Sequence, residues 1–228
     1  MGKRGTKMKS LLVKTGVVAL VLAASGTALA ESNFGVGAKA GTLGFGIEGT
    51  WRPVPMFDIR LGANTFDYDR TDTFAGVEYN DTLILDTVYA TANFKFPLSP
   101  FRITAGAYSN GNELTLTSAA TPFDIGGSSG YSSADIGTVT ATASFPSTSP
   151  YLGVGFDFSV MGKVGLNLDF GVLWQGEPTV TMTTDGLLDS INDPTFLGFV
   201  ETERQDLQDD LSSFKAWPVI SLGFVYNF

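Results

Sequence analysis

The chain is dominated by segments in which apolar and polar residues strictly alternate. In VGLNLDFGVLW (164–174), Leu166, Leu168, Phe170, Val172 and Trp174 share one face, and Gly165, Asn167, Asp169 and Gly171 share the other. The same split recurs in segments 57–64, 87–96, 101–108 and 151–158. A period of two is typical of β-strands whose two faces meet different surroundings. The alternation therefore predicts an all-β fold.

The polar faces of these segments carry charges of both signs near mid-strand, such as Asp58 and Arg60. A dry sandwich core would not hold such charges unless they were paired. The apolar faces are rich in Phe and carry Trp or Tyr near the strand ends, as lipid-facing strands do. The pattern favours a transmembrane barrel with a polar lumen over the alternative, a water-soluble β-sandwich.

The first 30 residues have the pattern of a cleaved signal peptide. Basic residues precede the apolar run GVVALVLAA (16–24), and Ala28-Leu29-Ala30 follows it. The run is much shorter than the roughly 20 residues of a membrane-spanning helix, so we expect Sec-type export and cleavage near Ala30. The mature chain, residues 31–228, then forms one domain, which we expect in the bacterial outer membrane.

The connections predict an eight-stranded antiparallel up-and-down barrel. Tight links at 53–56, 97–100 and 161–163 alternate with long polar segments near 71–80, 121–149 and 185–213. Short turns on one side and long loops on the other are typical of outer-membrane barrels. Parity then requires two strands within 33–52, joined by a hairpin at 41–44. A rival count keeps 33–52 as one strand and makes 137–145 an independent strand.

The last long segment also predicts one short acidic helix. Around FVETERQDLQDDLSSF (199–214), apolar residues recur at spacings compatible with one helical face: Leu197, Val200, Leu207, Leu211 and Phe214. We expect this helix to rest on the barrel rim before the last strand.

Residue types that carry catalysis are scarce. The chain has no histidine and no cysteine, which excludes disulfides, thiolate sites and serine–histidine chemistry. Asp67, Asp69 and Asp72 could offer oxygens to calcium, but the glycine and terminal glutamate of a calcium loop are missing. We therefore predict no enzyme activity, no catalytic residue, no cofactor and no metal site.

Strand phase places nine charged residues inside the barrel: Lys39, Arg52, Arg60, Lys95 and Arg102, with Glu48, Asp58, Asp157 and Asp169. Near-balanced charge predicts internal ion pairs between the four acids and Lys39, Arg60, Lys95 and Arg102. Eight strands leave an interior just wide enough for side chains. The sequence therefore predicts a plugged or very narrow lumen.

The outer loops and strand tips are acidic. They hold eighteen Asp and Glu residues against Arg70, Arg204 and Lys215. Such a surface attracts cations and repels nucleic acid. We expect small cationic solutes and outer-membrane lipid, including cation-bridged lipopolysaccharide, as partners, and no nucleic acid.

Four segments resemble a group of small outer-membrane barrels of Gram-negative bacteria: KAGTLGFGIE (39–48), PYLGVGF (150–156), GVLWQGEP (171–178) and LQDDLSSFKAWPVISLGFVYNF (207–228). The group is the carbapenem-associated outer-membrane protein family, described as porins for ornithine and other basic amino acids. The resemblance implies an eight-stranded barrel and the passage of small cationic solutes.

The chain ends on an alternating strand, WPVISLGFVYNF (217–228). We expect this strand to pair with the strand near 34–40 and to turn Leu222, Phe224, Tyr226 and Phe228 toward lipid. It resembles the carboxyl-terminal aromatic signal by which outer-membrane barrels are recognised for assembly. These four residues are therefore the expected assembly signal, and the barrel assembly machinery is an expected transient partner.

Two functions follow as hypotheses. The first is a small, narrow channel for passive uptake of cationic or zwitterionic solutes such as basic amino acids. In that channel the lumen carboxylates would meet the solute and the basic residues would set the constriction. The alternative is a closed structural barrel that stabilises the outer membrane or binds a partner through its acidic loops.

Overall fold

The computed structural model describes residues 33–74, 77–118, 125–128, 130–161 and 163–228. The predicted signal peptide lies outside the described residues. The described residues form eleven strands and three helices: β1 (Phe34–Gly41), β2 (Gly44–Val54), β3 (Phe57–Phe74), β4 (Val77–Lys95), β5 (Phe101–Asn110), β6 (Glu113–Ser118), α1 (Ser133–Ile136), β7 (Val139–Ser144), β8 (Thr148–Met161), β9 (Val164–Trp174), β10 (Thr179–Thr184), α2 (Leu187–Ser190), α3 (Pro194–Leu211) and β11 (Ala216–Asn227).

Eight of these strands form a closed antiparallel barrel, which confirms the predicted fold class. The order around the ring is β1, β2, β3, β4, β5, β8, β9 and β11. The last strand closes the ring on the first, from Gly35 opposite Asn227 to Gly41 opposite Ser221. Because the sheet closes on itself, the barrel leaves no free edge in hydrocarbon, where an unpaired edge would be costly.

The segment 33–52 forms two strands, as parity required. Gly41 pairs with Gly44 across a two-residue turn of Thr42 and Leu43. The turn is fixed to β11, because the Thr42 hydroxyl donates to the Pro218 carbonyl (2.8 Å) and accepts from the Ile220 amide (3.1 Å). The rival count was wrong about the barrel: residues 139–144 do form a strand, but that strand lies outside the ring.

Beyond the barrel, the sheet continues at one end as three further strands, β6, β7 and β10, which we call the outer sheet; β7 lies in the segment 121–149 that was expected to be loop. Strand β4 pairs with β5 along its Thr87–Lys95 half and with β6 along Tyr79–Ile84. Strands β7 and β10 continue this outer sheet. The expected loop near 71–80 is instead largely strand, since β3 runs to Phe74 and β4 begins at Val77.

Helix α3 confirms the predicted acidic helix but is longer and begins earlier. Asp193 caps it, accepting from the amides of Thr195 (3.0 Å) and Phe196 (2.8 Å), and Pro194 occupies the first turn. Both residues are favourable at a helix start. The helix ends at Leu211, so Phe214 lies beyond it and is exposed.

The outer sheet and the three helices share a small apolar core made of Ile125, Ile136, Val139, Phe196 and Val200. Tyr131, Met182, Leu188, Leu197 and Phe199 pack around this core. We call the outer sheet and the three helices together the cap. Its own core makes the cap a packed unit and not a set of loose loops.

The outside of the barrel is an apolar band. Along β11, Ile220, Leu222, Phe224 and Tyr226 are exposed, whereas Val219, Ser221, Gly223 and Val225 between them are buried. Exposed aromatic residues mark its borders, with Trp51, Tyr226 and Phe228 near one end and Trp174 near the other. An exposed apolar belt between aromatic residues is typical of a barrel wall in a membrane. No helix among the described residues is long and apolar enough to cross a membrane.

Leu222 tests this assignment of faces, because it lies midway along β11 and is 44% exposed. We expect Leu222→Arg to lower the free energy of unfolding of the vesicle-inserted barrel by about 2–4 kcal/mol, since a charge would face hydrocarbon. Urea unfolding followed by tryptophan fluorescence measures the change. Thr183→Arg, at an exposed position of the outer sheet, is the matched control and is expected to change stability little. An equally small effect at Leu222 would contradict the assignment.

Candidate functional site

The inward face of the barrel is polar near its inner end, where the tight turns lie. Because side chains alternate along each strand, charged residues from seven strands point into the lumen and meet there. Ion pairs join them: Lys39 (β1), Glu48 (β2), Asp58 and Arg60 (β3), Lys95 (β4), Arg102 (β5), Asp157 (β8) and Asp169 (β9) belong to one connected network. The network contains four basic and four acidic groups and is therefore neutral overall.

Arg60 holds the centre of the network. Its guanidinium lies 3.3 Å from a Glu48 oxygen, 3.3 Å from Asp58 and 3.1 Å from Asp157. Asp157 belongs to β8, which is three strands away from β3 around the ring. The pair therefore crosses the lumen, and the Arg60 side chain is only 3% exposed.

Arg102 is fully buried and makes a second set of bonds. Its Nε donates to Asp157 (2.9 Å), one terminal nitrogen donates to Asp169, and the other donates to Asn93 (3.1 Å) and Thr104 (2.7 Å). A guanidinium presents five donors in a planar fork, so these bonds satisfy most of its capacity. Gly155 makes room for it, because a Cβ there would lie 2.6 Å from the Arg102 Cζ.

Two lysines complete the network. The Lys95 ammonium lies 2.8 Å from Asp58 and 2.9 Å from Asp157 and remains 22% exposed. The Lys39 ammonium lies 3.9 Å from Glu48 and 3.9 Å from the centre of the Tyr89 ring. Both ammonium groups therefore have compensating partners, as buried charges require.

A layer of aromatic and aliphatic side chains lies above the charges, toward the cap. Tyr89 stacks on Tyr108 with ring centres 4.8 Å apart, and Tyr108 contacts Tyr151 at 5.3 Å. The Tyr89 hydroxyl donates to Glu48 (2.8 Å) and so joins this layer to the network. Leu43, Leu173 and Val219 fill the rest of the layer, and Trp217 packs against it.

The two layers leave almost no space in the described part of the lumen. Two cavities lie among the charged residues, and each has a volume of about 10 Å³. That volume corresponds to about one water molecule. A solute the size of an amino acid has no path through the described lumen in this conformation.

One predicted lumen residue stands apart from the network. Arg52 is half-buried near the inner end of β2, and among the described residues it forms no ion pair. Its Nε is buried without a hydrogen-bond partner. The other eight predicted lumen residues are brought together. Of the expected assembly signal, Leu222, Phe224 and Tyr226 lie on the outer face of β11, and Phe228, which follows the strand, is exposed as well.

Several residues of the site were missed by the sequence reasoning. Asn93 donates to Asp58 (2.6 Å), and its carbonyl oxygen accepts from Arg102 and Thr104. The tyrosine layer was missed as well. Both sets of residues lie at inward positions of alternating strands, so strand phase could have identified them if uncharged side chains had been included.

The cap has a different electrostatic character, because most charges of its long helix are exposed. Helix α3 carries Glu201, Glu203, Asp206, Asp209 and Asp210 against the single base Arg204. Hydrogen bonds from Arg204 and Gln205 lower the pKa of Glu201 to about 2. No group of three or more Asp or Glu residues that could hold a metal ion occurs among the described residues.

The sequence matches no protein-family model and no curated protein. Among solved structures, the chain is similar to CarO of Acinetobacter baumannii, with 22% identity and a TM-score of 0.55 over 85% of this chain and 97% of that chain. It is also similar to CarO2 of Acinetobacter baumannii, with 21% identity and a TM-score of 0.56 over 86% of this chain and 99% of that chain. The resemblance found in the sequence is thereby confirmed at the level of the fold.

Arg102 provides the sharpest test of the network. We expect Arg102→Ala to lower the free energy of unfolding by about 3–5 kcal/mol, because Asp157 and Asp169 each lose a buried partner. Urea unfolding of the vesicle-inserted barrel measures this change. Lys215→Ala is the control: it breaks an exposed pair with Glu177 (3.0 Å) and is expected to cost less than about 1 kcal/mol. Equal effects of the two changes would show that the lumen pairs contribute no more than surface pairs.

Proposed function

We propose that the protein is an outer-membrane barrel with a closed lumen that presents an acidic cap at the cell surface. The observation that carries this proposal is the set of ion pairs that crosses the lumen. Arg60 and Arg102 both bind Asp157, and together they connect side chains of β2, β3, β4, β5, β8 and β9. The network and the tyrosine layer lie one above the other and together fill the barrel. This arrangement supports a closed structural barrel over an open channel.

The apolar band supports the location. Exposed residues of β11 and their neighbours on β9, such as Phe170 opposite Ile220, would be unfavourable in water but favourable in lipid. The likeness in fold to CarO supports an outer-membrane barrel as well. The short turns at 54–57, 95–101 and 161–164 then face the periplasm, and the cap faces outward.

The cap supplies the proposed activity. Its acidic helix is held rigidly, since Gln208 of α3 accepts from the Val180 amide (2.9 Å) and donates to the Pro178 carbonyl (2.7 Å). A rigid surface with an excess of carboxylates attracts divalent cations and cationic groups. The cap would therefore bind lipopolysaccharide through shared divalent cations and so stabilise the outer leaflet.

The channel for basic amino acids remains a second candidate, and one observation favours it. The Lys95 ammonium occupies a position between Asp58 and Asp157 that is partly open toward the inner end of the barrel. The ammonium of a basic solute could exchange with Lys95 at this position. Passage would also require the tyrosine layer to move.

Conductance and solute flux distinguish the two candidates. We expect the protein in planar bilayers to show no steady conductance. We also expect proteoliposomes not to swell in lysine, ornithine or glutamate. The triple variant Arg60→Ala/Asp157→Ala/Tyr108→Ala should conduct, because it removes a cross-lumen pair without changing net charge and opens the tyrosine layer.

A variant of the cap serves as the matched control. Glu201→Ala/Arg204→Ala also removes one ion pair without a change of net charge, but outside the lumen, and is expected to stay closed. If proteoliposomes that contain the unmodified protein swell in lysine and ornithine but not in glutamate, the proposal of a closed barrel is overturned in favour of the channel.

A further inference from the structure

At the β1–β2 hairpin the barrel wall extends less far toward the cap than it does at the neighbouring strands. We call this short part of the wall, residues 40–45, the notch. The last pair between β2 and β3 joins Phe45 to Thr65, whereas β3 continues through Phe66–Phe74, about 30 Å farther along the strand. On the other side, β11 extends beyond its last pair with β1, which joins Ser221 to Gly41. The notch therefore lies between two taller walls.

A cavity of about 280 Å³ lies at the notch. It is lined by Ala40, Gly41, Thr42, Gly44 and Phe45 of the hairpin and by Phe66, Leu83, Leu85 and Trp217 of the taller walls. Small-molecule pockets typically begin near a volume of roughly 300 Å³. The notch thus offers ligand-sized space, in contrast to the single-water cavities of the lumen.

The lining joins the two faces of the wall. Ala40 and Phe45 are exposed on the lipid-facing side, and Phe45 is 65% exposed. Phe66 and its cross-strand partner Leu85 belong to the lumen-facing side. The rings of Phe45 and Phe66 lie 6.4 Å apart across the rim. The cavity therefore reaches from the lipid-facing side over the rim toward the top of the lumen.

The chemistry of the lining is almost entirely apolar. The Thr42 hydroxyl is already engaged as a donor and as an acceptor by Pro218 and Ile220. The indole Nε1 of Trp217, in contrast, is buried and has no hydrogen-bond partner. A buried donor without a partner is unfavourable until an acceptor reaches it. The cavity thus suits an apolar ligand that carries a hydrogen-bond acceptor.

The level of the notch in the wall indicates where this ligand comes from. Ile220 lies beside Thr42 in β11 and is 51% exposed. Farther toward the cap, Trp174 lies opposite Ala216 and is 44% exposed. The apolar band therefore continues past the notch on this side, so the mouth of the cavity opens toward lipid tails.

We propose that the notch binds one acyl chain of a surrounding lipid, with the ester carbonyl of that lipid accepting a hydrogen bond from Trp217. The nearby strand tip of β3 carries Asp67 and Asp69, whose charges disfavour the carboxylate of a free fatty acid. An uncharged ester matches the free indole donor without this repulsion. The proposal rests on the membrane location given under the proposed function.

Brominated lipids test the proposal, because bromine quenches tryptophan fluorescence on contact. Trp51→Phe/Trp174→Phe leaves Trp217 as the single tryptophan of the chain. Trp217 lies on the lumen side, so bilayer lipid reaches it only through the notch. In vesicles of phosphatidylcholine brominated on its acyl chains, we expect Trp217 to lose most of its fluorescence relative to unbrominated vesicles.

Two matched pairs of variants make the result specific. Trp51→Phe/Trp217→Phe leaves the lipid-facing Trp174, which must be quenched if the barrel is inserted, so failure of the membrane location is recognised separately. In the single-Trp217 protein, Ala40→Phe fills the mouth and should restore fluorescence, whereas Ala38→Phe, two residues away on the same exposed face, should not.

Three results would overturn the proposal. The first is an unquenched Trp217 beside a quenched Trp174. The second is quenching that Ala40→Phe leaves unchanged although the variant folds, as judged by its resistance to unfolding in cold detergent. The third is quenching only by brominated free fatty acid added to unbrominated vesicles, which would assign the notch to a different ligand.

Discussion

The contact of Arg60 with Asp157 across the lumen is the interaction on which the rest of the barrel interior depends. An arginine in the middle of a narrow barrel is unfavourable unless acids surround it. Here Glu48, Asp58 and Asp157 do so from three strands. Asp157 in turn also binds Lys95 and Arg102, so each charge of the network is compensated by a neighbour. The same set of contacts therefore makes the network neutral, closes the lumen and fixes the register of the strands that carry these residues.

The outer and the inner face of the barrel wall have opposite requirements, and the alternation of apolar and polar residues in the strands follows from them. Lipid selects large apolar side chains outside, whereas the lumen accepts charge only in pairs. That contrast explains why the strands, the 41–44 hairpin and the closing of β11 on β1 could be predicted from alternation and parity. Strand phase likewise predicts Arg60, Lys95 and Arg102 inside, where the structure brings them together with the acids.

Other features could not be predicted in this way. The strands of the outer sheet at Glu113–Ser118 and Val139–Ser144 are only six residues long, and only the rival count gave one of them, within 137–145, as a strand. Arg52 has the inward phase but lies near the end of its strand, and among the described residues it forms no ion pair with the acids. The stacking of Tyr89, Tyr108 and Tyr151 depends on the register of three strands. This register cannot be deduced from a single sequence. The early start of α3 lies outside the apolar spacing that predicted the helix, although Asp193 followed by Pro194 is a favourable helix start.

The cap and the lumen have separate physical roles in this account. The lumen uses buried charge to close and fix the barrel, and the cap uses exposed charge on its own apolar core to face the surroundings. A double-mutant cycle of Arg60→Ala and Asp157→Ala, read out as the free energy of unfolding in vesicles, measures the contribution of the cross-lumen pair. If that pair fixes the barrel, we expect a coupling free energy of about 0.5–3 kcal/mol in favour of the pair. A coupling of zero would contradict this expectation, because the cross-lumen contact would then contribute nothing to closing the barrel.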